Sequence, residues 1–172
     1  SADIGLSFRL LRYLNSAHFA LRKQLTDVRQ ALSLLGLSKL RAWVAIIALA
    51  SVEDKPQELV RIGIVRARMC ELLAERTDID SSTAFTVGLF SILDSLLDEA
   101  MPDIVAKLPL CDALNGALVS RTGELGTLIS CVENYESGRW NEAVSMGFDA
   151  TTLSEAYLDA NRWTAEALLG LG

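Results

Sequence analysis

The stretch from Phe85 to Leu97 reads Phe-Thr-Val-Gly-Leu-Phe-Ser-Ile-Leu-Asp-Ser-Leu-Leu, and it decides the fold class. Apolar side chains lie on nearly every side of a helix drawn through it, and a helix without a polar face is buried. Gly88, inside this stretch, predicts a point where a neighbouring backbone approaches closely. The preceding run from Thr77 to Ser82 is rich in Asp, Ser and Thr, which predicts a helix start. The segment is therefore predicted to be one central core helix.

The same reasoning extends outward along the chain. Leu40 to Ala50 is apolar nearly all round and predicts a second central helix, whereas Asp27–Gly36 has the single apolar stripe of an amphipathic one. Further helices are predicted from the Lys55-Pro56 step onward and near 102–108, 110–120, 124–136, 140–146 and 151–169, with Gly123, Gly138 and Gly147 at the joints. Sustained two-residue alternation is absent from the sequence. The prediction is an all-α helical bundle with two central apolar helices.

The helix after Pro56 has two predicted faces. Leu59, Ile62, Met69 and Leu73 form its predicted inner stripe. Arg61, Arg68 and Glu75 repeat every seven residues on another face. We interpret this charged face either as a salt-bridged helix face or as a docking surface. A docking surface predicts that reversing the charges of Arg61 and Arg68 weakens partner binding and leaves the fold intact.

Length and composition bound the class of protein. The chain has 172 residues, of which 51% are hydrophobic and 22% charged, enough for one domain with a sizeable core. Residues 1–172 are predicted to form a single domain, with 137–172 as a helical extension packed on it. Because no initiating Met is present and a helical pattern begins within a few residues, we expect a piece of a longer protein.

Membrane and secretory classes find no support in the sequence. The longest fully apolar stretch, Ala42–Ala50, is nine residues, whereas a membrane-spanning helix needs about 20. The N-terminus lacks the basic and apolar regions of a signal peptide. Three widely spaced cysteines without a C-x-x-C motif favour reduced thiols and a cytoplasmic location.

The charge is divided unevenly along the chain. Residues 1–76 carry a net charge of +5 and residues 77–172 carry −11. Either the two halves lie against each other and their fields cancel, or one face is steered towards an oppositely charged protein partner. A homo-oligomer is left open. Two arginine clusters, one before residue 30 and one over 61–76, leave a nucleic-acid or ligand sensor as an alternative, although a pI near 4.8 disfavours nucleic acid.

Candidate catalytic residues are few, because the chain has a single histidine, His18. A pair of His18 with Cys70, Cys111 or Cys131 could form a nucleophile and its base, but nothing local marks these cysteines as activated. Asp94 and Asp98 share a helical face and could hold a hard cation with Asp78 or Asp80, although a solvated helix end is the simpler interpretation. No phosphate-binding glycine motif occurs. The sequence thus assigns no catalytic, cofactor or metal residue.

The three tryptophans are assigned by their surroundings. Trp43 lies in the apolar segment 40–50 and is predicted to be core. Trp140 starts a short helix and either clamps the C-terminal part onto the bundle or anchors a partner. Trp163 falls with Leu153, Tyr157 and Leu168 on the last helix, which either docks on its own domain or swaps with a second copy.

Sequence order carries a family resemblance. The block from Leu10 to Ala17, Leu-Leu-Arg-Tyr-Leu-Asn-Ser-Ala, is the most specific part. It is followed, in the expected order, by Arg29-Gln30-Ala31-Leu32, Leu34-Leu35-Gly36, Leu40-Arg41-Ala42-Trp43, Lys55-Pro56, Ala67 to Ala74 and Gly88 to Asp94. Together they resemble the HDOD domain, a bacterial signalling module related to HD phosphohydrolases. Within this family, the chain most resembles the subset of HDOD domains that follows an EAL-type cyclic di-GMP phosphodiesterase domain. The segments that carry this likeness are Lys55-Pro56, the Gly-Leu-Phe-Ser segment and Leu108-Pro109-Leu110.

The resemblance implies an HD-like scaffold without the HD chemistry. HD phosphohydrolases bind metal through histidines and an adjacent His-Asp pair, and Ser91 and Ile92 stand where that pair would be. Ile92 has no atom that can bind a metal ion. The resemblance therefore implies a noncatalytic regulatory or protein-interaction domain linked to cyclic di-GMP through a neighbouring EAL-type domain. The alternative classes are a residual metal-dependent phosphohydrolase and a ligand or nucleic-acid sensor.

Overall fold

The computed structural model describes residues 57–106 and 110–171 and forms them into helices, without a β-strand in these ranges. The helices are α1 (Gln57–Ala74), α2 (Ser81–Phe90), α3 (Leu93–Leu97), α4 (Met101–Ala106), α5 (Asp112–Ser120), α6 (Gly123–Glu136), α7 (Trp140–Ser145) and α8 (Ala150–Leu171). This confirms the all-α fold class. The predictions for Asp27–Gly36, Leu40–Ala50 and Trp43 lie outside the described residues.

Helix α1 is the centre of the described part of the bundle. It packs against α2, α6 and α8, so most of its circumference is covered. Met69 and Leu73 of the predicted inner stripe are fully buried, and so are Ile64 and Val65, which the stripe omits. A single inner stripe was therefore too narrow a prediction, because three neighbouring helices contact α1 from different sides.

The approach of α2 to α1 follows the prediction for Gly88. A Cβ atom at this position would lie 2.7 Å from the backbone N and Cα of Ala67, so only glycine fits without movement. The start of α2 is also as predicted. Asp80 is its N-cap and accepts a hydrogen bond from the backbone N–H of Thr83 at 2.8 Å, as Asp commonly does at a helix start.

The predicted single helix over Phe85–Leu97 is wrong in one respect, because the structure divides it into α2 and α3. The break falls at Ser91 and Ile92. The Ser91 hydroxyl donates a hydrogen bond of 2.7 Å to the carbonyl oxygen of Gly88, a local bond that competes with helix continuation. The apolar pattern could not reveal this break, because residues on both sides of it are buried.

Helix α8 lies on α1 and covers the predicted docking face. Arg61 donates to the side-chain oxygen of Asn161 at 2.7 Å. Arg68 pairs with Asp159 at 3.4 Å and lies over the Trp163 ring, 5.4 Å from its centre. Both arginines also pair with glutamates of α1, Arg61 with Glu58 and Arg68 with Glu71. The contacts are those of a salt-bridged helix face, and a docking role for Arg61 and Arg68 stays a prediction. Within the described residues, arginines of α1 thus meet acidic residues of the C-terminal half.

The tail helix docks on its own domain through small and aromatic side chains. Trp163 meets Phe85 of α2 edge to face, with ring centres 6.3 Å apart. The buried alanines Ala156, Ala160 and Ala167 occupy the same helix, and small residues allow close helix packing. The predicted joints Gly123, Gly138 and Gly147 all have positive φ angles. This confirms the prediction that one helix ends and the next begins at these glycines.

Trp140 begins α7 as predicted but does not clamp the bundle. Its side chain is 64% exposed, so it contributes little to the core. No helix over 57–106 or 110–171 combines the length and the apolar character needed to cross a bilayer.

Candidate functional site

The polar site closest to the family's chemistry lies at the end of α2, around Ser91. Ser91 and Ile92 are 5% and 3% exposed, so both side chains point into the protein. The Ser91 hydroxyl donates to the Gly88 carbonyl and accepts a hydrogen bond of 3.2 Å from Nη1 of Arg66. The position that resembles the first residue of the His-Asp pair is thus occupied by a hydroxyl that is already satisfied.

Arg66 extends from α1 and brings a positive charge to this point. Its Nε donates to Oε2 of Glu136 at 2.7 Å, and its Nη1 lies 3.4 Å from Oε1 of Glu133. Both glutamates belong to α6. Because these side chains are only partly exposed, the ion pairs are weakly screened and their geometry matters for stability.

Arg121 completes the network from the end of α5. It has a left-handed backbone, with φ of 55°, and its guanidinium holds both carboxylate oxygens of Glu133 at 3.0 and 2.7 Å. Its Nη1 also donates to the carbonyl oxygens of Ala117 and Leu118 at the end of α5. We call Arg66, Ser91, Arg121, Glu133 and Glu136 the arginine network. It ties α1, α2, α5 and α6 together.

Sequence reasoning did not identify Arg121, Glu133 or Glu136 as site residues. The signal was the pair of glutamates three positions apart on α6, whose other inward positions include the buried Leu128, Ile129 and Val132. Acidic side chains next to a buried stripe require cationic partners. Which arginines supply them depends on tertiary packing, because Arg66 lies 70 residues from Glu136.

Burial changes the acid–base chemistry of the groups around this network. It raises the pKa of Glu136 above its ordinary value, and the charge of Arg66 offsets part of that effect. Burial also raises the pKa of Cys70 far above that of a free thiol and the pKa of Cys131 to about 11. These two cysteines are therefore protonated thiols with little nucleophilic character. The proposed partner, His18, lies outside the described residues.

The carboxylates considered as a cation site do not come together. Asp94 is exposed and accepts a hydrogen bond from the backbone N–H of Ser95 at 2.7 Å. Asp98 ends α3 in a left-handed conformation. Over 57–106 and 110–171, no group of three or more His, Cys, Asp or Glu side chains has an arrangement that could hold a metal ion. Asp78 and Asp80 therefore do not form a metal site together with Asp94 and Asp98.

Removing Arg66 tests the network and has a predicted pH dependence. The folded protein holds a proton on Glu136 more tightly than the unfolded chain does. Glu136 therefore stabilises the fold at a pH below its ordinary pKa, and this contribution is lost as the pH rises through the raised pKa. Arg66→Met raises that pKa further. We expect a loss of about 2 kcal/mol near neutral pH and a smaller loss near pH 5 in urea denaturation.

The matched control for this prediction is Arg61→Met. Arg61 lies on the same helix, but its ion pair is with the exposed Glu58 and its other partner, the amide oxygen of Asn161, is uncharged, so its replacement should cost about 1 kcal/mol. Combining Arg66→Met with Glu136→Gln should remove the added pH dependence. Equal losses for the two single variants, or a loss for Arg66→Met that is independent of pH, would contradict the network's role.

The fold and the site define a class: an HD-like helical bundle in which an internal arginine network surrounds the position that resembles a metal-binding pair. The HDOD domain family model matches residues 1–111. The chain belongs to the HDOD domain family.

Two curated relatives match nearly the whole chain. The chain is 35% identical to cyclic di-GMP phosphodiesterase CdgJ of Vibrio cholerae, over 95% of this chain and 40% of that protein. It is 31% identical to the uncharacterized protein YuxH of Bacillus subtilis, over 94% of this chain and 41% of that protein. The chain thus spans about two fifths of the length of these relatives. No solved structure matches it significantly.

Proposed function

We propose that this chain is a noncatalytic regulatory domain of a bacterial signal-transduction protein, which acts through protein contacts. We further propose that it is linked to cyclic di-GMP turnover through an EAL-type domain upstream of residue 1 and that it works in the cytoplasm. Membership of the HDOD family supports the signalling role. The name of the relative CdgJ, a cyclic di-GMP phosphodiesterase, supports the link to that nucleotide.

The arginine network carries the noncatalytic part of the proposal. A metal ion that activates water needs anionic or neutral ligands with free lone pairs. Here Glu133 accepts from two guanidinium groups and Glu136 accepts from one. The Ser91 hydroxyl is also engaged by Arg66. Binding a cation at this point would require Arg66 to leave its partners, so the site favours structure over hydrolysis.

The length of the relative CdgJ supports a proposed division of labour in the whole protein. About three fifths of CdgJ lies outside the region that this chain matches, which leaves ample length for a separate catalytic domain. Hydrolysis in such a protein would belong to the EAL-type part. The present domain would then set the rate of that reaction, or its location, by binding another protein.

The deciding experiment measures cyclic di-GMP hydrolysis by the 172-residue chain and by the protein at its full natural length. We expect no turnover by the 172-residue chain with Mg²⁺ or Mn²⁺, and turnover by the full-length protein that Asp94→Ala leaves unchanged. Metal analysis of the purified chain runs in parallel. Stoichiometric metal together with turnover abolished by Asp94→Ala would instead establish a residual phosphohydrolase.

A further inference from the structure

Two adjoining cavities lie beside the loop between α1 and α2. The larger has a volume of about 850 Å³ and extends to the loop between α7 and α8. The smaller has a volume of about 370 Å³ and extends to the start of α5. Both are lined by Asp78, Ile79, Gly123 and Glu124, so they lie side by side along one surface. We call this surface the acidic groove.

The larger compartment of the acidic groove has an apolar floor. Ile79, Leu128, Met146 and Phe148 line it, and each of them belongs to the hydrophobic core or packs against it. The lining also includes one basic residue, Arg76, which pairs with Glu155 at 4.0 Å and donates to the Thr152 hydroxyl at 3.2 Å. Its volume is within the range of about 300–1,000 Å³ typical of ligand pockets. This compartment can therefore receive an apolar side chain without rearrangement of the fold.

The smaller compartment is strongly anionic. Its lining includes four carboxylates, those of Asp78, Asp80, Asp112 and Glu124, and no described basic residue. Hydrogen bonds from Thr83 lower the pKa of Asp80 below its ordinary value and keep it ionised. Asp78, Asp112 and Glu124 are exposed and make no ion pair among the residues that the structure describes. Their charges are available to a partner.

A metal ion is not the occupant that these carboxylates favour. No three of them converge closely enough to hold one in the described part of the chain. Cyclic di-GMP is also disfavoured, because its two phosphate groups would face at least four negative charges. An extended cationic side chain, with its charge on a flexible stem, can reach carboxylates that are spread along a wall.

We infer that the acidic groove binds a basic segment of a partner protein, with a Lys or Arg side chain in the smaller compartment and an apolar side chain in the larger. This inference rests on the proposed interaction function and names the chemistry of the partner. Charge complementarity selects the occupant, since the smaller compartment is lined by four carboxylates without a described basic residue and the chain as a whole carries a net charge of −6. The two adjoining compartments require the apolar and basic residues to be near neighbours in the segment.

The experiment uses the protein at its full natural length and a library of immobilised nonapeptides. Each peptide has one apolar residue and a Lys or Arg placed one to four residues away, and each has a partner peptide with Glu at the basic position. We expect the protein to prefer basic members over their Glu partners by at least about tenfold at low salt, with weaker binding at high salt. If no basic member exceeds its Glu partner, the inference is overturned.

Variants separate the groove from the general negative charge of the domain. The double variant Asp112→Asn with Glu124→Gln removes two charges from the groove. We expect it to weaken the binding of the best basic peptide at least about fivefold. The matched control, Asp103→Asn with Glu142→Gln, removes two exposed charges that do not line either cavity, and it should change binding less than twofold. Equal weakening in both pairs would assign the binding to net charge and overturn the inference.

The outcomes of this test and of the hydrolysis test are independent. The peptide test can fail while the chain remains noncatalytic, which would leave the proposed function in place without this groove. Turnover by the 172-residue chain that Asp94→Ala abolishes would overturn the proposed function whatever the peptides do. Competition of the best peptide by cyclic di-GMP would overturn the choice of occupant, because the groove would then accept an anion.

Discussion

Replacing Ile92 with aspartate is expected to lower the free energy of unfolding by about 4 kcal/mol or more. Ile92 is 3% exposed, and its Cδ1 lies 2.7 Å from the position that a Cβ on Gly63 would take. Its side chain therefore fills the space above a glycine of α1. Aspartate leaves part of that space empty and places a carboxylate in a buried, apolar position.

Thermal unfolding followed by circular dichroism checks this prediction. A loss of about 4 kcal/mol corresponds to a decrease in Tm of about 8–16 °C for a protein of this size. Ile92→Val keeps the apolar contact and should cost only about 1 kcal/mol, which makes it the matched control. The deficit of Ile92→Asp should shrink as the pH is lowered, because protonation removes the buried charge. A wild-type melting curve would show that the end of α2 is not part of the core.

Ile92→Asp also separates two explanations for the loss of the HD pair. The variant restores a carboxylate at the position that resembles the Asp of the pair, while Ser91 stays bonded to Arg66. If the arginine network excludes metal from this site, adding Mn²⁺ should not stabilise the variant. Metal-dependent recovery of its Tm would indicate that the site needs only its ligands back, and it would weaken the noncatalytic proposal.

The fold class could be predicted from the sequence because local signals agreed with one another. The Asp80 cap, the glycine joints and the close approach at Gly88 each depend on a few neighbouring residues. Helix identity follows from such local features. The division of the segment 85–97 into α2 and α3 could not be predicted, because buried apolar residues continue across Ser91 and Ile92 and the bonds of Ser91 to Gly88 and Arg66 have no periodic signal in the sequence.

The functional surfaces were less predictable than the helices. A heptad of charge on α1 resembles a solvent-facing surface, and α8 covers it only because Trp163 and the small alanines of α8 pack there. The acidic groove joins residues from three loops between helices, which no spacing rule connects. Long-range pairing decides which polar residues meet, and a single sequence carries little information about it.

Replacing Gly88 with alanine is expected to lower the free energy of unfolding by about 3 kcal/mol. The added Cβ would meet the N and Cα of Ala67 and the carbonyl carbon of Arg66, each at 2.7 Å. These are backbone atoms of a hydrogen-bonded helix, so they cannot turn aside as a side chain can. Helices α1 and α2 must separate, and the displacement of Arg66 would also disturb the arginine network.

The sign of this effect distinguishes packing from helix propensity. Alanine favours the interior of a helix by about 1 kcal/mol over glycine, so a variant that is more stable than the wild type would contradict the close approach. Gly63→Ala is the matched control, because the atoms nearest to its new methyl group belong to the side chain of Ile92 and not to a backbone, and we expect a smaller loss, of about 1 kcal/mol. Adding Ala67→Gly to Gly88→Ala should not restore stability, since the contacts are with backbone atoms. Restoration would assign the strain to the Ala67 methyl group and place the two helices further apart than described.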